Sequence, residues 1–442
     1  MASERFVVLG LAHARSEWFR ALGQWSTSGA LPAEFVKCLS AEEVRARLAS
    51  GRPFSALLAD AGLPPVDRDL LATARAANCA TLVVDDGRTV RDWVALGASA
   101  VLSAGFERDD LLGALTAHAR PIARGEARSG AVAGPGPAMP ATWSCPVAAL
   151  TGPGGTGVST AAIALAQALG DDVRNAGLVC LADFRLHAEQ AMLHDARDVL
   201  PSVQELVEAH RAGQPSAEVV RGQAFSVEER GYHLLLGLRQ ARYWPSLRRR
   251  AFEATFESLR NAYRMLVCDV DAELEGEAEG GSIDVEERHV MARTTMAGAN
   301  AVFAVGLPSM KGVHALVRVL VELLGSGVPP DRIVPVVNRA PRSPRSRAGL
   351  AAAVSELAGP AVARASEAAG FAALPAPVFL PERKVDEALH DGTRMPAGLG
   401  APLAGAFAAV LERGSARRPA AEPERVRPGS LGRWSEPEVA SG

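Results

Sequence analysis

From residue 4 to about residue 120, short apolar runs alternate with stretches of helical spacing. FVVLGL (6 to 11), FVKCL (35 to 39), FSALLAD (54 to 60), ATLVVDD (80 to 86) and SAVLSA (99 to 104) predict five strands. Between them SEWFRALGQW, AEEVRARLAS, DRDLLATARAA and VRDWVALG repeat their apolar residues at helical intervals, and ERDDLLGALTAHA predicts a closing helix. Strands that are apolar along their whole length must be covered on both sides. The alternation therefore predicts a parallel sheet wrapped by helices.

Residues 121 to 144, PIARGEARSGAVAGPGPAMPATWS, are rich in Pro, Gly, Ala and Ser without apolar periodicity and predict a linker. A second alternation follows over residues 145 to 412, through CPVAALTG (145 to 152), GLVCLAD (177 to 183), YHLLLGL (232 to 238), RMLVCDV (264 to 270), NAVFAVGL (300 to 307), RIVPVVN (332 to 338) and PVFLP (377 to 381). These runs predict a larger doubly wound sheet. The stretch 398 to 412, GLGAPLAGAFAAVLE, is expected as the last packed helix, because it lacks the basic face of a membrane-surface helix. From Arg413 to residue 442 the composition predicts a disordered tail.

Composition narrows the classes of function. Hydrophobic residues at 48% and charged residues at 22% exclude a wholly disordered chain. Lys+Arg 47 against Asp+Glu 50 leaves a net charge of -3, so nucleic acid or an acidic membrane needs a local patch rather than a global field. The five cysteines, Cys38, Cys79, Cys145, Cys180 and Cys268, are scattered with no C-x-x-C, against a disulfide framework or zinc site and in keeping with a cytoplasmic protein. No run of about 18 apolar residues predicts a membrane span, and the start MASERFVVLG lacks a signal-peptide layout.

The most informative chemistry lies at 147 to 170, VAALTGPGGTGVSTAAIALAQALG. An apolar strand runs into Gly152, Gly154, Gly155, Thr156 and Gly157, then Val158, Ser159 and Thr160 open a helix. Glycines let backbone N–H groups turn toward an anion, and the helix N-terminus adds partial positive charge. A hydroxyl at Ser159 is placed to reach a magnesium ion.

This segment resembles the deviant Walker A loop, K-G-G-x-G-K-[ST], of the MinD/ParA ATPases: PGGTGVST at 153 to 160 matches it except at the two lysines, which fall on Pro153 and Val158. Loss of the second lysine ahead of Ser-Thr is similar to the branch that holds the CpaE/TadZ-type and septum site-determining proteins, whose receiver-like domain also precedes the ATPase domain. The resemblance covers residues 4 to about 412. It implies ATP and magnesium as cofactors, with Ser159, Asp183 and Asp269 toward the metal and Asn338 of PVVNRAP toward adenine. In LADFRLH, Asp183 falls on the first acidic position of the family's D-x-D and Arg185 on the second, so these two are the candidates for a catalytic role. It also implies a homodimer that recruits proteins of a division, pilus or secretion machine, with polar or membrane-proximal placement through those partners.

The departures have physical consequences. Lysine supplies charge that offsets the β- and γ-phosphates in the transition state, so its loss predicts retained binding with slow or absent hydrolysis. For Arg185 two readings stand, a reach to the phosphates or a surface ion pair, the latter being the commoner fate of such an arginine. A nucleotide-independent scaffold and a DNA-partitioning ATPase are the alternatives. For the last, RQARYWPSLRRR (239 to 250) and NRAPRSPRSR (338 to 347) are locally basic, though such runs are usually solvated faces.

In the first unit Asp60 ends the third strand, where response-regulator receivers carry their phosphoacceptor. An acidic pair after strand one and a lysine after strand five are needed for that chemistry, and this chain has Leu11, Ala12, Ser103 and Ala104 there. Asp60 is therefore expected to make turn hydrogen bonds in a pseudo-receiver of flavodoxin-like fold. DAELEGEAEGGSIDVEER (271 to 288) reads as an acidic insertion, either a partner-binding loop or one without a role. His187 and His194 are not spaced as a helical metal pair.

Overall fold

The computed structural model describes residues 5–13, 16–88, 91–122, 144–276, 283–369 and 373–417. The linker expected at 121 to 144 falls mostly outside them, as do the middle of the acidic segment and the chain after Arg417. The last helix, Ala397–Arg417, includes Arg413 to Arg417, which the composition had placed in the tail.

All five expected N-terminal strands form: β1 (Phe6–Leu11), β2 (Ala33–Cys38), β3 (Ala56–Asp60), β4 (Ala80–Asp85) and β5 (Ala100–Ser103). They pair in parallel in the order β2-β1-β3-β4-β5. Because side chains alternate along a strand, Val7, Leu9 and Leu11 enter one apolar core while Phe6 and Val8 enter the other. The first core takes Val44 and Leu70 from helices Ala41–Ala49 and Arg68–Ala76; the second takes Phe19 and Leu111 from helices Glu17–Thr27 and Arg108–His118. VRDWVALG forms only one turn, Trp93–Leu96, between an Asp92 cap and a left-handed Gly97.

The seven expected C-terminal strands also form: β6 (Val147–Thr151), β7 (Val179–Phe184), β9 (Tyr232–Leu235), β10 (Met265–Val270), β11 (Ala301–Gly306), β12 (Ile333–Ala340) and β13 (Val378–Pro381). An eighth, β8 (Phe225–Val227), was not expected. It pairs antiparallel with β9 at the edge of a sheet ordered β13-β12-β11-β6-β10-β7-β9-β8. Three residues carry too little pattern to declare a strand. The left-handed turn at Gly231 and the free edge of β9 create it.

β6 lies between β10 and β11, so the loop leaving it opens where chain connections diverge to both sides. Helices Val158–Gly170 and Ala397–Arg417 cover one face of this sheet, and helices Val203–Ala212, Arg249–Ala262 and Met310–Gly325 cover the other. All five cysteines are buried and unpaired. Among the described residues no helix is long and apolar enough to cross a membrane.

The two units meet through a polar contact between helices that cover the two sheets. Asp67 pairs with Arg211 at 2.9 Å, Arg68 donates to the carbonyls of His210 and Gly213, and the Arg250 N–H donates to Asp69 at 2.9 Å.

Candidate functional site

The loop after β6 owes its shape to three left-handed or extended glycines. Gly152, Gly155 and Gly157 have φ of 156°, 77° and 87°. A Cβ on Gly152 would lie 2.3 Å from the Val305 carbonyl, and one on Gly157 would lie 2.5 Å from the Asn338 amide nitrogen, so neither position accepts a side chain without movement. Thr156 closes the turn by donating to the Pro153 carbonyl at 2.7 Å. Gly154 and Gly155 are exposed, and helix Val158–Gly170 starts directly behind them with its first N–H groups free of intrahelical partners. This arrangement can hold an anion by backbone alone.

The expected residues come together, with differences. Val158, on the second lysine position, is 4% exposed and packs into the apolar core, so it contributes only its N–H to the loop. Thr160 begins the same helix at half burial. Asn338 donates to the Thr156 carbonyl at 2.8 Å, which fixes its amide against the loop.

Beneath the loop, the ends of β7 and β10 set three carboxylates side by side. Asp183 and Asp269 are fully buried and Asp271 is 8% exposed. Burial and the neighbouring Asp269 push the Asp183 carboxyl well above the usual carboxylate range. Burial also raises Asp269, against the opposing pull of Arg185 and hydrogen bonds from Ser159 and Gln190. Asp271, expected as the first residue of an acidic insertion, belongs instead to the site, a correction that its burial and hydrogen bonds require. Its carbonyl accepts from Thr151 Oγ1 and its carboxylate from the Leu186 N–H at 2.7 Å, both within the site.

Arg185 is the second correction. Its side chain is 15% exposed and bridges Asp269 Oδ1 at 3.4 Å and Asp271 Oδ1 at 3.5 Å, so it forms a buried ion pair rather than a surface one. Gln190, which sequence reasoning missed, donates from its side chain to Asp269 Oδ2 at 2.8 Å and from its backbone to Asp183 Oδ2 at 2.9 Å. His194 faces the Gln190 carbonyl and the Tyr232 hydroxyl. The only signal for Gln190 was its place seven residues beyond Asp183.

For magnesium, the chemistry of the donor set is the test. The expected donors Ser159, Asp183 and Asp269 do gather, but each oxygen of Asp183, Asp269 and Asp271 already faces a protein donor: Arg185 N, Gln190 N, Arg185 Nη1, Gln190 Nε2, Arg185 Nη2 or Leu186 N. Each of these oxygens keeps a second lone pair, so acceptors are not lacking; the obstacle is charge, because the Arg185 guanidinium already stands against Asp269 and Asp271, where an octahedral magnesium ion would need them. As arranged, these residues do not fit it, and among the described residues no group of three or more His, Cys, Asp or Glu is placed to hold a metal.

In the first unit Asp60 accepts from the Gly62 N–H at 2.9 Å, the turn hydrogen bond expected of it. A separate cleft of about 1070 Å³, lined by Arg249, Glu286, Arg293, Glu322 and Arg332 among others, lies away from the glycine loop. In the basic run, Arg249 pairs with Glu253 and Glu286, Arg250 pairs with Glu253, and Arg239 and Arg242 lie over the Tyr243 ring.

No family model matches this chain, and no curated protein matches it. Among solved structures it is similar to a ParA-family ATPase from Chlorobium tepidum, at 15% identity over 60% of this chain and 98% of that one, with a TM-score of 0.44. It is also similar to the cell-division ATPase MinD of Pyrococcus furiosus, at 19% identity over 61% and 98%, with a TM-score of 0.42. The septum site-determining protein MinD of Pyrococcus horikoshii, solved with Mg-ADP, is 19% identical over 61% and 95%, with a TM-score of 0.41.

Proposed function

We propose that this chain binds an adenine nucleotide on the loop from Gly152 to Thr160 and turns it over slowly or not at all. It would act as a MinD/ParA-like positioning protein of the CpaE-like or septum site-determining type. In this reading the first unit is a pseudo-receiver that docks on the P-loop unit. The chain dimerises and recruits partners for septum placement or for assembly of a pilus or secretion machine.

One observation carries the proposal. A glycine loop shaped for an anion opens onto a helix N-terminus, with Ser159 beside the buried Asp269, while the lysine position is given to the core through Val158. A cradle without its lysine supports binding, and lacks the charge that speeds phosphoryl transfer.

A second reading, a nucleotide-independent scaffold, is favoured by the acidic cluster, whose oxygens are satisfied without any ligand. A DNA-partitioning role has less support, because glutamates answer Arg249 and Arg250 in the basic run.

The test is calorimetric titration of ATP into the full chain, with oligomeric state followed by light scattering and phosphate release measured in parallel. Saturable binding, lost in Gly157→Val, with a change of mass and turnover far below one per minute is the expected result. Absence of heat with an unchanged mass would leave the scaffold, and rapid turnover would overturn both readings. Melting curves of the variant separate loss of binding from loss of fold.

A further inference from the structure

We propose that Arg185 fills the cation's role in this site, so that nucleotide binds the glycine loop without a divalent metal. The inference rests on the nucleotide-binding reading above and adds how the site is neutralised.

Three aspartates gathered at the ends of two adjacent strands need positive charge close by, because burial penalises carboxylates that have no counter-charge. A guanidinium meets that need in a way an ammonium does not: its planar fork spans two acceptors. Here Nη1 faces Asp269 and Nη2 faces Asp271, and the side chain is largely withdrawn from water. The backbone repeats the arrangement, since the N–H groups of Arg185 and Leu186 donate to Asp183 and Asp271. Residues 185 and 186 thus hold three carboxylates from one short segment.

A divalent ion seated between Ser159 and Asp269 would have to displace the Gln190 amide or stand against the guanidinium on the same carboxylate. Like charges at that range and in that burial repel strongly. The arginine also has a donor to spare: its Nε is buried and has no protein partner. An acceptor oxygen brought by a ligand would satisfy it. With Pro153 and Val158 in place of both lysines, Arg185 is the cation that the strand ends themselves bring to the cluster.

The experiment uses the full chain, titrated with ATP in magnesium buffer and again in EDTA, and measures Mn²⁺ binding without nucleotide by electron paramagnetic resonance. Arg185→Met keeps the stem and removes the charge, and Arg185→Lys keeps the charge; melting curves confirm that each folds. The wild-type protein should bind ATP with affinities within about threefold in the two buffers and should leave Mn²⁺ free. Arg185→Met should bind Mn²⁺ and lose ATP affinity about tenfold or more in EDTA. Arg185→Lys should keep Mn²⁺ out, as the wild type does.

A wild-type affinity that falls about tenfold in EDTA, or Mn²⁺ bound by the wild type, overturns the proposal. If ATP binds in neither buffer, the nucleotide reading fails, yet the metal arm still decides: Mn²⁺ taken up by Arg185→Met alone supports the arginine as the cation, and Mn²⁺ taken up by neither protein overturns it. Should Arg185→Met fail to fold, the wild-type comparison between the two buffers decides.

Discussion

His210 shows what a single side chain does at the contact between the two units. It is 3% exposed, its Nε2 meets Ser258 Oγ at 2.8 Å, and its Nδ1 has no partner. The Arg68 guanidinium donates to its backbone carbonyl. Burial first, and the Arg68 charge second, push the imidazole down from 6.5 to about 4. The unfolded chain therefore binds a proton between about pH 4 and 6.5 that the folded chain does not, and this residue's contribution to stability rises with pH across that window. Glutamine, which does not titrate, provides the reference. Urea unfolding at pH 5 and pH 7 should show the wild type gaining stability relative to His210→Gln at the higher pH; a difference that is the same at both would contradict the burial argument. No pattern in the sequence marked His210, because its environment is built by burial beside Ser258 and by Arg68, both distant in the chain. Asp183, Asp269 and Ser159 were singled out through the motifs they resemble, and each stands near the end of a strand or the start of a helix, which is why the fold gathers them. Asp271 was masked by the acidic residues that follow it.

At the scale of elements, continuous apolar runs were readable because a strand buried on both faces has no polar positions to blur its limits. The edge strand β8 was not, since a neighbour's free hydrogen bonds decide it more than its own three residues do. Helix contacts leave a fainter trace still. Helices Val158–Gly170 and Ala397–Arg417 pack so closely that a Cβ on Gly400 would lie 2.3 Å from the Ala164 carbonyl and 2.8 Å from the Ala168 Cβ. The final helix thereby braces the helix whose N-terminus faces the glycine loop. Gly400→Val should cost about 1–3 kcal/mol, the usual range for overpacking, and move that helix. Chemical denaturation measures the loss, and ATP titration of the same variant reads its effect on the loop. If Gly400→Val melts with the wild type, the close approach is not what seats the final helix.

Charges at helix ends join the two units, and this alters how the function has to be measured. Helix Arg249–Ala262 begins at Arg248, which has φ of 22° and provides no side-chain cap of its own. The missing acceptor comes from the other unit: Asp69 takes the Arg250 N–H, placing a carboxylate at the positive end of the helix. Arg68 does the converse for helix Val203–Ala212, donating to the carbonyls of His210 and Gly213 at its negative end, while Asp67 pairs with Arg211. Three consecutive residues of the first unit thus serve two helices of the second. Both helices cover the sheet face next to β7 and β10, which carry Asp183 and Asp269. Loss of the first unit would leave one helix uncapped and take the Arg68 donor from the carbonyl end of the other. Asp69→Ala should accordingly destabilise the full chain by about 1 kcal/mol, a typical loss for a helix cap, and Asp69→Asn, which keeps an acceptor, by less. The stronger test is physical separation. With a protease site inserted between residues 123 and 143 and then cut, the two pieces should elute together from a sizing column, and should part when Arg68→Ala and Arg211→Ala are combined. Pieces that separate in the wild type would show that the contact is too weak to couple the units. If they stay together, the isolated second unit is the wrong object for nucleotide measurements, because the segment from Asp67 to Asp69 completes helices that cover the sheet carrying the glycine loop.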